Sequence, residues 1–170
     1  MISGSSASLT YGWQHELVIP TPVLAVRAVC GTVALDAAGR VLLVQRRDMA
    51  RGVFLAGGFE PGETWVRAAV RECLEETGWH IEVRSLLGVY SDPATQVHHY
   101  PGGREVQFYG VVFLASARRN SGTRDGEATD VAFFALDELP GPIFGPDRPA
   151  LMDARTTIGR PFVGSSQMRV

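Results

Sequence analysis

The pattern of hydrophobic and polar residues after Pro22 predicts two strands joined by a turn. The segment Val23–Asp36 is rich in β-branched residues and predicts a strand. Ala37–Arg40 contains a glycine and predicts a turn, and Val41–Arg47 predicts the returning strand. A loop is expected to follow at Asp48–Gly52.

The next periodic segment predicts a helix over Thr64–Thr77. Its apolar positions follow the i, i+3, i+4, i+7 spacing of a buried stripe: Val66, Ala69, Val70, Cys73 and Thr77. Gly78 is well suited to end the helix. Arg67 stands where Glu or Gln would complete a capping box, so that motif is absent. Residues 56–63 hold three glycines and one proline, which predicts irregular backbone.

The second half of the chain predicts three more strands and a closing helix. The strands are expected at His80–Tyr90, Glu105–Ala115 and Val131–Ala135, the loops at Asp92–Gly103 and Arg118–Thr129, and the helix at Ala150–Ile158. This order of strands and helices favours a mixed sheet between helices, which is an α/β (α+β mixed sheet) class.

The length of 170 residues predicts one domain. We expect an N-terminal arm at 1–22, a single domain at 23–160 and a loose tail at 161–170. The net charge of −2 gives no reason to expect nucleic acid as a bulk partner. The N-terminus lacks the pattern of a secretory signal and no apolar run is long enough to cross a membrane, so a cytoplasmic protein is expected.

All sixteen basic residues are arginine, so some chemistry is excluded. Without lysine the chain can form neither a pyridoxal Schiff base nor a Walker A loop. Phosphate would have to be held by arginine, metal or backbone N–H groups. Gln45, Arg46, Arg47 and Arg51 could contact phosphates, although an exposed edge of strand and loop is the favoured explanation. Cys30 and Cys73 lie in apolar patterns and are expected to be buried thiols.

Five of the ten glutamates fall between positions 60 and 76. On a helix Glu72, Glu75 and Glu76 would share one edge, and like charges so placed destabilise it. Hard divalent cations such as Mg²⁺ prefer oxygen ligands and would reverse that effect. A glycine-rich loop feeding a carboxylate-edged helix is therefore a candidate metal site, which suggests phosphate chemistry.

This stretch resembles the signature of the Nudix (MutT-like) hydrolases. Gly57 is followed after five residues by Glu63 and after seven more by Arg71-Glu72-Cys73-x-Glu75-Glu76-x-Gly78-Trp79. The resemblance covers about 24–140. It implies an α/β/α sandwich and an Mg²⁺- or Mn²⁺-dependent hydrolase acting on a small nucleoside diphosphate derivative. ADP-ribose, a nucleotide sugar, a dinucleoside polyphosphate and a nucleoside triphosphate all remain open.

The resemblance also implies roles for individual residues. Glu72 and Glu76 would be the principal metal ligands, with Glu75 and Glu63 in support and the backbone carbonyl of Ala56 added. Arg71 would orient these carboxylates by pairing with Glu75 or Glu63. Many relatives carry Pro-Gly before the first glycine of the motif, where this chain has Leu55-Ala56. The general base varies among relatives; Glu127 is the best-placed match here, with Glu63 and Glu75 as rivals.

Two other functions stay open. A non-catalytic Nudix domain could bind a nucleotide as a sensor, although its motif is usually damaged and this one is intact. An isomerase of the same fold would need a reactive cysteine, and Cys30 looks inert.

Aromatic residues give weaker indications about substrate and assembly. Tyr90, Phe108 and Tyr109 could stack on a base, but core packing is favoured for each. His98–Tyr100 could pack on a base or sugar, but a loop surface is favoured. The aromatic arm suggests a possible homodimer.

Overall fold

The strands of this chain form one mixed sheet. The computed structural model describes residues 25–46, 55–122, 128–141, 143–156 and 162–163. In chain order the elements are β1 (Ala25–Leu35), β2 (Val41–Arg46), β3 (Leu55–Gly57), α1 (Trp65–Thr77), β4 (Trp79–Tyr90), α2 (Pro93–Gln96), β5 (Val97–His99), β6 (Glu105–Asn120), β7 (Ala128–Phe134), a 3₁₀ turn (Gly145–Asp147), α3 (Arg148–Thr156) and β8 (Phe162–Val163).

The strand order is β7-β2-β1-β6-β4-β8, with β3 paired to β1 and β5 paired to β6. β1 and β6 run parallel along the whole of β1, from Ala25 opposite Val106 to Leu35 opposite Ser116. β2 and β3 are both antiparallel to β1. Since β3 meets β1 only at Cys30, Gly31 and Thr32, the loop before α1 is tied to the middle of the sheet.

The two faces of the sheet are covered by different helices. Val33 packs in a cluster with Leu151 of α3, whereas its neighbour Ala34 packs in a cluster with Cys73 of α1. Successive residues of a strand point to opposite faces, so α1 and α3 lie on opposite sides of the sheet. This arrangement confirms the α/β/α sandwich that the sequence predicts.

Helix α1 begins and ends close to the predicted residues. The Thr64 hydroxyl accepts a hydrogen bond from the Arg67 amide at 3.3 Å. At the other end Gly78 adopts φ 74°, and its amide donates to the Leu74 carbonyl at 2.8 Å. That left-handed conformation suits glycine because it lacks a Cβ. The helix therefore presents a defined set of side chains to the preceding loop.

Several boundaries differ from the prediction. β6 continues to Asn120, although Arg118–Asn120 was expected in a loop, because Trp79 and His80 of β4 continue the pairing. The predicted loop Asp92–Gly103 contains α2 and β5. Ala56 and Gly57, expected in irregular backbone, belong to β3 because they pair with β1. The errors at β3 and β6 have the same origin: a partner strand distant along the chain satisfies the backbone groups.

The chain ends are only partly described. The predicted arm at 1–22 lies outside the described residues. In the predicted tail, Phe162 and Val163 form β8 and pair with Gly88 and Val89 of β4. Among the helices of the described segments, none is both long and apolar enough to cross a membrane.

Candidate active site

The guanidinium of Arg71 gathers the carboxylates of α1 and of the loop before it. Its Nε and one terminal nitrogen bind the two Glu63 carboxylate oxygens at 2.7 and 2.8 Å. The other terminal nitrogen lies 2.9 Å from both Glu72 Oε1 and Glu75 Oε2. A fifth bond, of 3.0 Å, reaches the Gly58 carbonyl. These five bonds match the five N–H donors of arginine.

This network changes the acidity of its members. Hydrogen bonds from Arg71 lower the pKa of Glu63 from 4.5 to about 2. The same carboxylates, Glu63 first, raise the pKa of Arg71 above its ordinary value. Both directions favour the charged forms, as expected for close opposite charges. Arg71 therefore holds Glu63 as a carboxylate in the metal-free arrangement.

Glu72 is a partly buried carboxylate that lies against Gly57 of the glycine loop. Its side chain is 15% exposed, and burial raises its pKa, against the lowering effect of Arg71. A Cβ added to Gly57 would lie 1.8 Å from Glu72 Cδ. Only glycine at position 57 leaves room for the carboxylate as it is placed, which explains this fixed position of the motif.

Glu76 lies one helical turn after Glu72 and is 5% exposed. Ala56 is placed in β3 opposite Gly31, so its backbone is held beside the start of the glycine loop. The structure thus brings Glu63, Arg71, Glu72 and Glu75 together and sets Glu76 on the same helix.

Three predicted site residues have side chains that the structure does not describe. Glu127 and Arg47 lie outside the described residues. Arg46 ends β2 opposite Ala128, and only its backbone is described. Their roles in a site stay predictions.

The donor set fits a hard divalent cation in its chemistry. Glu63, Glu72, Glu75 and Glu76 offer only oxygen atoms, which Mg²⁺ and Mn²⁺ prefer. Within the described segments, no three acidic, histidine or cysteine side chains already form a metal-binding group. Three of the four carboxylates instead bind Arg71.

A cleft of about 510 Å³ borders this cluster at Gly57 and Gly58. Its walls carry four aromatic side chains, Tyr90, Tyr100, Phe108 and Phe144, and the polar side chains Arg27, Gln96 and Asp147. A largely apolar cleft with few polar groups is typical of a small-molecule site. Its border with Gly58, whose carbonyl binds Arg71, joins the cleft to the carboxylates.

The sequence names Tyr90, Tyr100 and Phe108 as side chains that could contact a base or sugar, but favours other positions for each. Tyr100 and His98 were expected on a loop surface, but both are partly buried and their rings lie 4.5 Å apart. His98 also lies 4.5 Å from Phe144. Tyr109 was expected in the core and is 45% exposed. The aromatic stretch His98-His99-Tyr100 was the available signal, but Phe144 gave none because it joins the cleft only through the fold.

Both cysteines are fully buried, as the sequence predicts. Burial raises the pKa of Cys30 to about 12, and the nearby Glu72 charge adds to the effect. Burial likewise raises the pKa of Cys73 to about 12. Neither thiol has the accessible, easily ionised character that nucleophilic chemistry requires. The isomerase alternative therefore lacks its cysteine.

A protein-family model and several known proteins are similar to this chain in sequence. The family model for the NUDIX domain matches residues 25–154. The ADP-ribose pyrophosphatase of Methanocaldococcus jannaschii is 38% identical over 116 residues, which cover 66% of this chain and 63% of that protein. The human 8-oxo-dGDP phosphatase is 34% identical over 134 residues, covering 73% of this chain and 38% of that protein.

Among solved structures, a MutT NUDIX hydrolase from Burkholderia pseudomallei superposes with a TM-score of 0.60 at 28% identity. The match covers 75% of this chain and 97% of that structure. The chain thus spans nearly the whole of this structural relative. It spans less than two thirds of the two curated relatives.

Proposed function

The chain belongs to the NUDIX family, and from that premise we propose that it is a divalent-metal-dependent pyrophosphohydrolase. Its substrate would be a nucleoside diphosphate linked to another group. The observation that carries this proposal is the position of the Arg71 carboxylate cluster at the border of an aromatic cleft. The names of the relatives, ADP-ribose pyrophosphatase and 8-oxo-dGDP phosphatase, support a nucleoside diphosphate derivative.

In this proposal Glu72 and Glu76 hold Mg²⁺ or Mn²⁺, assisted by Glu63, Glu75 and the Ala56 carbonyl. A bound cation of this kind neutralises phosphoryl charge and lowers the pKa of water. The intact motif and its all-oxygen donor set support this assignment. The partly buried position of Glu72 also supports it, because a cation there would offset the cost of burying a carboxylate.

The cleft would hold the nucleoside so that the diphosphate lies towards Gly57 and Gly58. Water attacks one phosphorus atom and the P–O bond of the anhydride breaks. The departing oxygen keeps the bonding electron pair, and a carboxylate takes the proton from the water. The products are two phosphate-bearing fragments. Orientation of this kind is a large part of catalysis in phosphoryl transfer.

Among the candidate bases, Glu63 is the weakest in the metal-free arrangement. Both of its oxygens are bound by Arg71, and its pKa of about 2 makes it a poor proton acceptor. Glu75 gives one oxygen to Arg71 and is 49% exposed, so it keeps access to water. Glu127 and Glu75 therefore remain the better candidates for the base. Arg71 acts as a positioning residue through the carboxylates that it binds.

The test is release of phosphate-bearing fragments from a panel that contains ADP-ribose, a nucleotide sugar, a dinucleoside polyphosphate and a nucleoside triphosphate. Each compound is assayed with and without Mg²⁺ or Mn²⁺. Wild type is compared with Glu76→Gln and with Glu138→Gln. Glu138 is the control because it is an exposed carboxylate in the turn that follows β7. We expect metal-dependent turnover that is lost in Glu76→Gln and kept in Glu138→Gln.

No turnover on any compound, together with tight nucleotide binding, would contradict the hydrolase and favour the sensor. Equal turnover with and without a divalent cation would contradict the metal assignment. Size-exclusion light scattering of the full chain and of a form lacking residues 1–20 tests the proposed homodimer separately. An unchanged ratio of measured to chain mass would mean that the arm does not hold a dimer.

A further inference from the structure

Gln96 is a buried polar residue in the lining of the aromatic cleft. It is the last residue of α2, which begins with Pro93 and is capped by the Asp92 carboxylate, an acceptor for the Ala94 amide at 2.9 Å. The backbone N–H of Gln96 also donates to the Asp92 carbonyl at 2.8 Å. Gln96 is 3% exposed and lines the cleft. A polar side chain so deeply buried is rare unless its hydrogen bonds are arranged.

One end of the Gln96 amide is fixed by the backbone. Its Nε2 lies 2.9 Å from the Pro146 carbonyl, in the 3₁₀ turn that also lines the cleft. A carbonyl can only accept, so the nitrogen must face Pro146 and the oxygen must face away from it. Turning the amide over would set two acceptors against each other in a buried place. The orientation of this glutamine is therefore determined by a contact that does not involve ligand.

The other end, Oε1, accepts no hydrogen bond from any residue in the described ranges. Thr32 Oγ1 is the side-chain atom found both buried and without a partner in those ranges. Gln96 Oε1 is not among these fully buried atoms, so part of its surface is accessible. Gln96 lines the cleft, and we take the accessible surface of Oε1 to face it. Gln96 thus offers the cleft an acceptor of fixed position.

We propose that Gln96 is a specificity-determining residue, whose Oε1 accepts a hydrogen bond from the amino group of a purine base bound in the aromatic cleft. This inference deepens the proposed function, because it assigns the part of the same site that selects the base. Tyr100, Phe108 and Phe144 supply apolar and π surface suited to a flat ring. The volume of about 510 Å³ is within the range for a nucleoside-sized ligand.

Other polar side chains in the cleft suit different parts of such a ligand. Arg27 is exposed, lines the cleft and is suited to a phosphate oxygen. Asp147 is 3% exposed and stands beside Pro146 in the same turn. Adenine and guanine both carry an amino group. Either base could therefore donate an N–H hydrogen bond to Gln96 Oε1.

The first arm of the test changes only the ligand. Binding of AMP and of its analogue without the amino group, purine riboside 5′-monophosphate, is measured by calorimetry on the full chain without divalent metal. GMP and IMP form the second pair, which differs by the guanine amino group. We expect one pair to show roughly tenfold tighter binding of the amino form, the effect of one hydrogen bond to a buried acceptor. The pair that discriminates identifies the base.

The second arm changes the residue. Gln96→Met keeps the length of the side chain and removes both amide atoms. Gln107→Met is the matched control, because Gln107 is 8% exposed and its Nε2 binds the Ser91 carbonyl at 3.0 Å, yet it does not line the cleft. In Gln96→Met the two members of the discriminating pair should bind with about equal affinity. In Gln107→Met the tighter binding of the amino form should persist. Thermal unfolding of both variants checks that each is folded.

Equal affinities within both pairs in wild type, or no binding by either pair, would overturn the inference. So would discrimination that survives in Gln96→Met. Hydrolysis is measured separately with Mg²⁺, so the two proposals fail independently. Base discrimination without hydrolysis would leave Gln96 in its role and overturn the hydrolase. Hydrolysis without discrimination would do the reverse.

Discussion

The carboxylate of Glu72 lies directly over the α-carbon of Gly57, so that a Cβ at position 57 would meet Glu72 Cδ at 1.8 Å. Real side chains do not tolerate so short an approach, and one of the two groups must move. Gly57 is in β3, which also pairs with Cys30 of β1. The flexible glutamate would therefore move rather than the strand.

This relationship predicts that Gly57→Ala loses activity while keeping its fold. Gly57 does not have a positive φ, so alanine can adopt its backbone conformation. We expect turnover to fall by at least about a hundredfold because Glu72 is displaced from the cluster, with little change in the melting temperature. Gly141→Ala is the matched control, since nothing lies within 4 Å of its added Cβ. A large loss of stability in Gly57→Ala would mean that the strand yields instead.

A second prediction concerns the charge that Arg71 supplies. Arg71→Gln leaves Glu63, Glu72 and Glu75 without the guanidinium that binds all three. In metal-free buffer we expect the free energy of unfolding to fall by about 1–2 kcal/mol, a value reduced for partial exposure. Adding Mg²⁺ should raise the melting temperature of the variant more than that of wild type, because the cation replaces the lost charge.

The control for this experiment is Arg67→Gln, an exposed arginine one turn earlier on the same helix. It should respond to Mg²⁺ as wild type does. An equal response by Arg71→Gln and wild type would mean that Mg²⁺ does not act at these carboxylates.

A third prediction concerns acid unfolding. The pKa of Glu63 is lowered from 4.5 to about 2 by Arg71, so its ionised form favours the folded state. That contribution is fully present above the unfolded value and is lost as the pH falls from 4.5 towards 2. Burial raises the pKa of Glu72, and this effect has the opposite sign, since protonation relieves the cost of burying its charge.

Urea unfolding with EDTA across this pH range provides the measurement. The free energy of unfolding of wild type should fall more steeply with acid than that of Glu63→Gln. Glu60→Gln, an exposed residue in the same loop, should follow wild type. Parallel curves for wild type and Glu63→Gln would contradict the role of the Glu63–Arg71 pair.

The part of the site that is local along the chain could be predicted from the sequence. Arg71 and Glu75 are four residues apart on α1, and the pair forms at 2.9 Å as helical geometry requires. The contact from Arg71 to Glu63 was also predicted, because the motif fixes their spacing. The end of α1 at Gly78 was predictable because a left-handed residue there favours glycine.

The cleft could not be predicted, because its walls come from distant parts of the chain. Gln96 and Pro146 are joined by a hydrogen bond across fifty positions, and no local pattern encodes that contact. Phe108 and Phe144, with ring centroids 5.9 Å apart, meet for the same reason. The length of β6 was underestimated because Arg119 and Asn120 look like loop residues until β4 pairs with them. Tertiary contacts overrode local composition in each case.

The last prediction is that both cysteines are unreactive in the folded protein. Cys30 and Cys73 are 0% exposed, and burial raises the pKa of each thiol to about 12. A disulfide reagent attacks the thiolate and needs access to sulfur, so both conditions fail. At mildly alkaline pH we expect almost no thiol to titrate in the native chain and two to titrate in denaturant. Ser85→Cys, at an exposed position of β4, should add one fast thiol as a positive control. One fast thiol in the wild-type chain would show that Cys30 or Cys73 is accessible, and would reopen cysteine-dependent isomerase chemistry for this fold.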